Sequence, residues 1–425
     1  MKIKVREISF DELKKLKTPV RKPPSRPDPL LSKLINVISR SSLKKCNFKK
    51  EFSGMEKLKK DEPCLILMNH SSFIDLSIAS EMIYPRPYQI ICTTDGFVGK
   101  ETLMRKIGCI PTLKFVMDVG LIKDMTYAIN ELKTSVLMYP EAGYSLDGTA
   151  TALPDSLGKC VKKLKAPLII INTYGAFARD PLYNMLQIRK VDIGARMEYV
   201  LSPEEIENLS AEKIGEIIQG YFSFDNFRWQ QENHIKIDEP FRADGLNRVL
   251  YKCPHCNTEG KMTGKGIHIK CDNCNASYTL DEYGFLKGDN IDAKFTHVPD
   301  WFKWERECVR EELKNDEYSL KADVDIYMIA DTKYLYNVGT GVLKHSKEGF
   351  RLTGCDGNID YRQKPSASYS LNADYYWYEI GDMIGIGNMK AAYYCFPKNS
   401  GDIVAKTRLA TEELYKLCKE QSEKT

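Results

Sequence analysis

Four short apolar runs, at residues 64–68, 89–92, 135–139 and 167–172, punctuate the first half of the chain. Each lacks polar alternation, which is the pattern of a strand buried on both faces. Segments with apolar residues at helical spacing fall beside them, at 74–83, 100–107, 121–132 and 155–164. Strand-like runs alternating with helical segments predict an α/β layer over residues 29–245, a mostly parallel sheet flanked by helices. At the front of this region Leu30, Leu31, Leu34, Ile35, Val37 and Ile38 recur at helical spacing, with Lys33 and Arg40 nearby. They predict a short amphipathic helix that either lies on a membrane surface or packs on its own domain.

The second half has another texture. Residues 246–286 are rich in Gly, Asn, Lys and Cys. Residues 299–313 read as a helix starting at Asp300 with a Trp/Val/Leu stripe, inside a helical linker over 287–319. From about 320 to 400 short strands alternate with turns such as Asn337-Val-Gly-Thr-Gly341, and a terminal helix comes after them. A small all-β C-terminal domain closed by one helix, residues 320–425, has a pleckstrin-homology-like outline, which says little about function. Its aromatic patch, Tyr375 to Tyr378 with Tyr393, Tyr394 and Phe396, forms either a membrane or ligand face or, the favoured reading, the packed core of that domain.

A chain of 425 residues is too long for one ordinary core. No apolar run approaches the ~20 residues that cross a bilayer. The N-terminus lacks a signal-peptide core. The expected location is cytoplasmic, peripheral at the inner membrane face. The net charge of +4 is unevenly spread: residues 1–60 hold 18 Lys/Arg against 6 Asp/Glu. A basic N-terminal arm over residues 1–28 ends in Pro-Pro-Ser-Arg-Pro-Asp. It suits an anionic surface, phospholipid headgroups or nucleic acid, or is a solvated tail. Nine of the 13 cysteines are scattered, several in apolar runs, as buried free thiols of a reducing compartment would be.

The stretch Met68-Asn-His-Ser-Ser-Phe-Ile-Asp-Leu76 places His70 after a buried run and Asp75 one turn into the next element. An imidazole titrating near neutrality can take a proton from a hydroxyl. A carboxylate on its other nitrogen stabilises the imidazolium. Such a pair suits transfer of a group to an alcohol, with Asn69, Ser71 and nearby main-chain N–H groups as candidate oxyanion donors. Three later blocks add to it: Lys106-Ile-Gly-Cys-Ile-Pro-Thr-Leu-Lys114, Tyr139-Pro-Glu-Ala-Gly-Tyr-Ser145, and the strand opened by Pro167.

The order and spacing of these blocks resemble the glycerolipid acyltransferase family, the lysophosphatidic acid (1-acylglycerol-3-phosphate) acyltransferases. The resemblance covers roughly residues 30–245. It implies that His70 is the base and Asp75 its partner. It implies that Lys114, standing where the family has Arg, and Glu141, Gly143 and Ser145 bind substrate. The donor would be an acyl thioester, acyl-CoA or acyl-carrier-protein, and the acceptor a lysophospholipid hydroxyl. The third block departs from the family pattern: Gly, Thr and Arg become Ala142, Gly143 and Tyr144. The second block has Pro111-Thr112 for an apolar pair, and its lysine lacks the bidentate fork of arginine. The acyl-transfer machinery is therefore expected intact with an altered acceptor site. The alternative is a non-catalytic lipid- or partner-binding scaffold on the same fold.

Cys253-Pro-His-Cys256 and Cys271-Asp-Asn-Cys274 are two C-x2-C pairs separated by fourteen residues. Four thiolates so spaced make the closed tetrahedral site typical of structural Zn²⁺, with iron as the lesser option. The segment resembles a zinc ribbon. Lys252, Lys261, Lys265 and Lys270 would suit nucleic-acid phosphates. A structural clip between two domains is favoured over that reading, because no aromatic platform accompanies the lysines.

Overall fold

The computed structural model describes residues 2–423 apart from 18, 117, 186 and 399–401. The apolar runs form the middle of a seven-stranded sheet. Its spatial order is Lys49–Ser53, Gly194–Leu201, Leu168–Tyr174, Leu65–Met68, Ser135–Met138, Tyr88–Thr93 and Cys109–Thr112. Every neighbouring pair is parallel except Leu168–Tyr174 with Gly194–Leu201. Leu65 and Leu67 pack with Met125, Val161 and Ile214 on one face, and Ile66 and Met68 with Leu43, Ile78 and Met82 on the other. Helices cover both faces, so successive residues are all apolar and alternation disappears. Leu65–Met68 and Ser135–Met138 run parallel, so the residues just after both strands emerge at the same edge of the sheet.

Helix Pro29–Lys44 begins where Asp28 accepts hydrogen bonds from the N–H groups of Leu30 and Leu31 at 2.9 and 3.2 Å, with Pro29 in the first turn. Its packing inverts the usual rule. Asn36, Ser39 and Leu43 are buried, and Asn36 Nδ2 donates to the Ser80 carbonyl at 3.2 Å. Arg40 and Lys50 both meet Glu81, at 2.7 and 2.8 Å. The apolar stripe of Leu30, Leu34, Val37 and Ile38 faces outward, each residue more than half exposed. No helix among the described residues is long and apolar enough to cross a membrane.

Met262–Lys265, His268–Cys271, Ser277–Leu280 and Leu286–Gly288 form a four-stranded antiparallel sheet. Helix Val298–Lys314, in the segment expected as a linker, buries Trp301, Phe302, Val309 and Leu313. Trp301 Nε1 donates to the Lys252 carbonyl at 2.9 Å, and its ring meets Tyr278 edge-on. Tyr278, Trp301 and Val324 share one core, so this helix bolts the small sheet to the C-terminal sheet. The C-terminal sheet runs seven antiparallel strands between Leu320 and Pro397, in the order Ile359–Gln363, Gly349–Gly354, Leu335–Ser346, Leu320–Met328, Ala392–Pro397, Gly381–Gly387 and Asn372–Trp377. Tyr375, Trp377, Tyr393, Tyr394 and Phe396 are buried there, so the aromatic patch packs inward. Helix Val404–Ser422 closes the chain and is buried on nearly every side from Val404 to Leu414.

The described residues of the 1–28 arm do not form a solvated tail. Val5–Glu7 pairs in parallel with Leu335–Asn337 of the C-terminal sheet. Arg21 forms ion pairs with Asp118 and Asp124, each at 2.9 Å, and the main-chain N–H of Asp28 donates to Lys106 at 2.8 Å. The segment is a strap from one sheet to the other. Main-chain hydrogen bonds hold much of it, and these leave no trace in side-chain pattern.

Candidate active site

His70 comes just after the central strand Leu65–Met68, and Asp75 opens helix Asp75–Ile83. Asp75 Oδ2 lies 3.0 Å from His70 Nδ1 and accepts the N–H groups of Ser71 and Ser72 at 2.8 and 3.0 Å. The carboxylate thus fixes both the imidazole and the loop that carries it. Its partnership with Nδ1 leaves Nε2 as the ring atom able to take a proton. Burial lowers the His70 pKa below its ordinary value; Asp75 opposes the shift and Lys114 adds to it. The imidazole is therefore neutral at pH 7, the form a base requires.

Two aromatic rings cover the imidazole. Tyr139 lies 4.3 Å from it, centroid to centroid, at 31°, and Tyr144 3.9 Å from it at 29°. Together with the Asp75 contact they hold the side chain to 18% exposure. Tyr144 is one of the third-block departures, and its position over His70 was not readable from the sequence.

The other third-block residues are used inside the fold. Glu141 is fully buried; its two oxygens accept the N–H of His70 at 2.8 Å and of Thr151 at 2.7 Å. It braces the strand end and does not face outward as a substrate ligand would. Burial pushes its pKa up to about 7, against these two hydrogen bonds. Ser145 is buried as well: its Oγ donates to the Thr149 carbonyl at 2.6 Å and accepts from Gly148 N–H at 2.9 Å. Asn69 is excluded as an oxyanion donor, since its amide donates to Ser71 Oγ and Thr173 Oγ1 and accepts the Thr173 N–H. Ser71 is buried in the same network. These polar groups are spent on joining strands, a use that sequence spacing does not distinguish from catalysis.

Lys114 sits half-exposed in the turn after Cys109–Thr112, near enough to act electrostatically on His70. It lines a shallow cleft with Phe115, Ser370, Asn372 and Tyr394. Most of that wall comes from residues 363–394 of the C-terminal domain, which sequence reasoning did not connect to this site. Arg408 of the last helix also arrives here: its Nη1 donates to the Tyr144 carbonyl at 2.9 Å. No sequence signal marks Arg408 among the other basic residues of that helix.

The four cysteines of the ribbon converge, with all four sulfurs within 4.8 Å of one another. Cys253 and Cys274, and likewise Cys256 and Cys271, have Sγ atoms 3.7 Å apart. A tetrahedron with metal–sulfur bonds of about 2.3 Å has edges of about 3.8 Å, so the thiols fit Zn²⁺. The two knuckles are built alike. Asn257 and Asn275, each just past the second cysteine, take left-handed backbone with φ of 60° and 61°. Each donates its N–H to the first cysteine's carbonyl at 2.9 Å. Lys252 is turned inward to Glu259 and Glu312, while Lys261, Lys265 and Lys270 are exposed.

Residues 49–172 match the family model described as Acyltransferase. A solved structure, the 1-acyl-sn-glycerophosphate (LPA) acyltransferase PlsC from Thermotoga maritima, aligns over 45% of this chain and 78% of its own, at 14% identity and a TM-score of 0.33. No curated protein matches the chain. The segment that carries His70, Asp75, Lys114 and the 139–145 loop is thus similar to the acyltransferase family, while the ribbon, the C-terminal sheet and Arg408 lie outside the matched residues.

Proposed function

We propose that this protein is an O-acyltransferase that moves an acyl group from an acyl thioester, of CoA or a carrier protein, to the hydroxyl of a lysophospholipid such as 1-acylglycerol-3-phosphate. The observation that carries the reading is the 3.0 Å His70 Nδ1–Asp75 Oδ2 contact inside the segment that matches the acyltransferase model. His70 Nε2 takes the acceptor's proton as its oxygen attacks the thioester carbonyl. The tetrahedral intermediate then expels the thiolate, which receives that proton from the imidazolium, so one ester and one thiol result. A thioester already carries a good leaving group, and no covalent enzyme intermediate is needed.

Zn²⁺ on Cys253, Cys256, Cys271 and Cys274 has a structural role in this reading, since four thiolates close its coordination shell. The ribbon over 246–286 and the pleckstrin-homology-like sheet over 320–425 frame the catalytic region, 29–245. Membrane contact is assigned to the outward stripe of helix Pro29–Lys44. Phe73 and Leu76, which flank the His70–Asp75 loop, are 53% and 46% exposed and add apolar surface beside the site. Exposed apolar residues close to basic ones suit the boundary of an anionic bilayer.

A second reading rests on Tyr144: its ring closes over His70, as a scaffold that has lost turnover would tolerate. A thiol-release assay over acyl-CoA and acyl-carrier-protein donors with lysophospholipid acceptors separates the two. His70→Ala is expected to lower turnover by about 10²–10⁴-fold, the usual contribution of a general base, with the melting transition and zinc content unchanged. Equal turnover in that variant sinks the enzyme reading; no thiol release from wild type with any donor favours the scaffold.

A further inference from the structure

The loop Tyr139–Ser145 carries no cation of its own, yet a guanidinium reaches it from a helix more than 250 residues away. Arg408 is 3% exposed. Its Nη1 holds the Tyr144 carbonyl at 2.9 Å, and its Nε reaches Glu412 Oε1 at 3.3 Å. That carboxylate is held more closely by Arg306, at 2.7 Å. Nη2 is buried with no hydrogen-bond partner. Removing a guanidinium from water and leaving a donor unmatched is costly, so a retained group of this kind points to something it binds.

The surroundings say what that is. The ideal Cβ position of Gly143 lies 4.0 Å from both Nη1 and Nη2, an ordinary contact distance, so the guanidinium packs directly beside this loop. Ser370, which donates to Glu412, also lines the cleft that holds Lys114 and Phe115. Lys114 and Arg408 both act electrostatically on Asp374, whose Oδ1 is buried and unpartnered. Burial pushes the Asp374 pKa up to about 6, and the two cations pull against it. Asp374 is the internal counter-charge of the pair, and Asp95 faces it as a further carboxylate. A guanidinium with its Nη2 unengaged, and a lysine acting on the same carboxylate, suit the double negative charge of a phosphate monoester.

We propose that Arg408, carried on the C-terminal helix, binds the phosphate monoester of the acceptor beside the His70–Asp75 pair, so that the C-terminal domain completes the acceptor site. The reading of this group as an acceptor rests on the acyl-transfer function proposed above; its binding of phosphate does not.

The test is calorimetric binding of sn-glycerol 3-phosphate and of inorganic phosphate to the full chain, as wild type, His70→Ala, Arg408→Gln and Arg408→Lys. Wild type and His70→Ala are expected to bind glycerol 3-phosphate alike. Arg408→Gln should bind at least tenfold more weakly, and Arg408→Lys in between. Binding of Arg408→Gln equal to wild type, or no binding by wild type, overturns the proposal. Tighter binding of glycerol 3-phosphate than of inorganic phosphate supports an acceptor headgroup; equal binding overturns that assignment. In turnover, Arg408→Gln should raise KM for 1-acylglycerol-3-phosphate at least tenfold and leave a neutral monoacylglycerol within twofold. Equal losses on both acceptors would make Arg408 a structural brace. Absence of turnover with every acceptor defeats the proposed function alone, because the binding arm still decides Arg408. Should Arg408→Gln lose its melting transition, Lys114→Gln on the half-exposed turn replaces it, with the same expected weakening and with unchanged binding as the overturning result.

Discussion

The ring of Tyr144 stacks on the imidazole of His70 with centroids 3.9 Å apart. The pair joins one of the third block's departures from the family pattern to the proposed base. It also sets the environment of that base, since burial is the largest influence on the His70 pKa and lowers it.

Replacing Tyr144 with Ala should therefore rehydrate His70 and raise its pKa toward the ordinary value of about 6.5. The acidic limb of the pH–rate profile, which marks protonation of the base, should move to higher pH in the variant. A proton NMR titration of the His70 ring gives the same shift independently of turnover. An acidic limb that stays in place would show that the stacked ring does not tune the base.

Glu141 predicts a pH signature in stability. Its folded pKa of about 7 lies above the unfolded value of 4.5, so the folded chain holds the extra proton between these limits. Stability from this group is full below about pH 4.5 and is lost as pH rises through 7, on the order of 3 kcal/mol in all. Glu141→Gln cannot ionise, and it turns an amide donor toward either the His70 or the Thr151 N–H. The variant should melt below wild type, with the widest gap at or below about pH 4.5 and a narrowing gap from there through pH 7. Melting curves at a series of pH values check this; a constant gap would refute it.

The metal site makes a prediction about distant structure. One core joins ribbon residues Tyr251 and Ile269 to Trp301, Leu409 and Ala410. Purified protein should contain close to one zinc per chain, and Cys256→Ser should lose most of it. Removing the metal should raise hydrogen exchange in helix Val404–Ser422 as well as in the ribbon. Protection confined to wild-type values in that helix would mean the two regions are energetically separate.

The outward stripe of helix Pro29–Lys44 is tested by charge. Leu34→Glu with Val37→Glu and Ile38→Glu changes exposed positions only, so the melting temperature should hold. Binding to vesicles of phosphatidylglycerol and phosphatidylethanolamine should fall at least tenfold, since each exposed aliphatic side chain gains about 1.5–3 kcal/mol on full burial. Unchanged vesicle binding removes this helix from any membrane role.

Much of the architecture was legible before folding. The strands at Leu65–Met68 and Ser135–Met138 are short runs of consecutive apolar residues, because helices cover both faces of their sheet. The two C-x2-C knuckles were legible because their geometry is local: two thiols and one left-handed asparagine lie within five residues. The helix Pro29–Lys44 was legible as amphipathic, but the direction of its stripe was not. Asn36 finds the Ser80 carbonyl and Glu81 collects Arg40 and Lys50, and these partners turn the polar face inward.

The sequence by itself determined the elements and the short-range constellations: the mostly parallel sheet, His70 five residues from Asp75, and four cysteines in two tight pairs. Their partners are close along the chain, so spacing alone brings them within reach. Only the tertiary structure decided what each polar group does. It buried Glu141 behind His70, wrapped residues 5–7 onto the C-terminal sheet, laid Tyr144 over the imidazole, and brought Arg408 to a loop 264 residues earlier. These outcomes depend on which surfaces exclude water together and on long loops closing. No local pattern of residue types records that information.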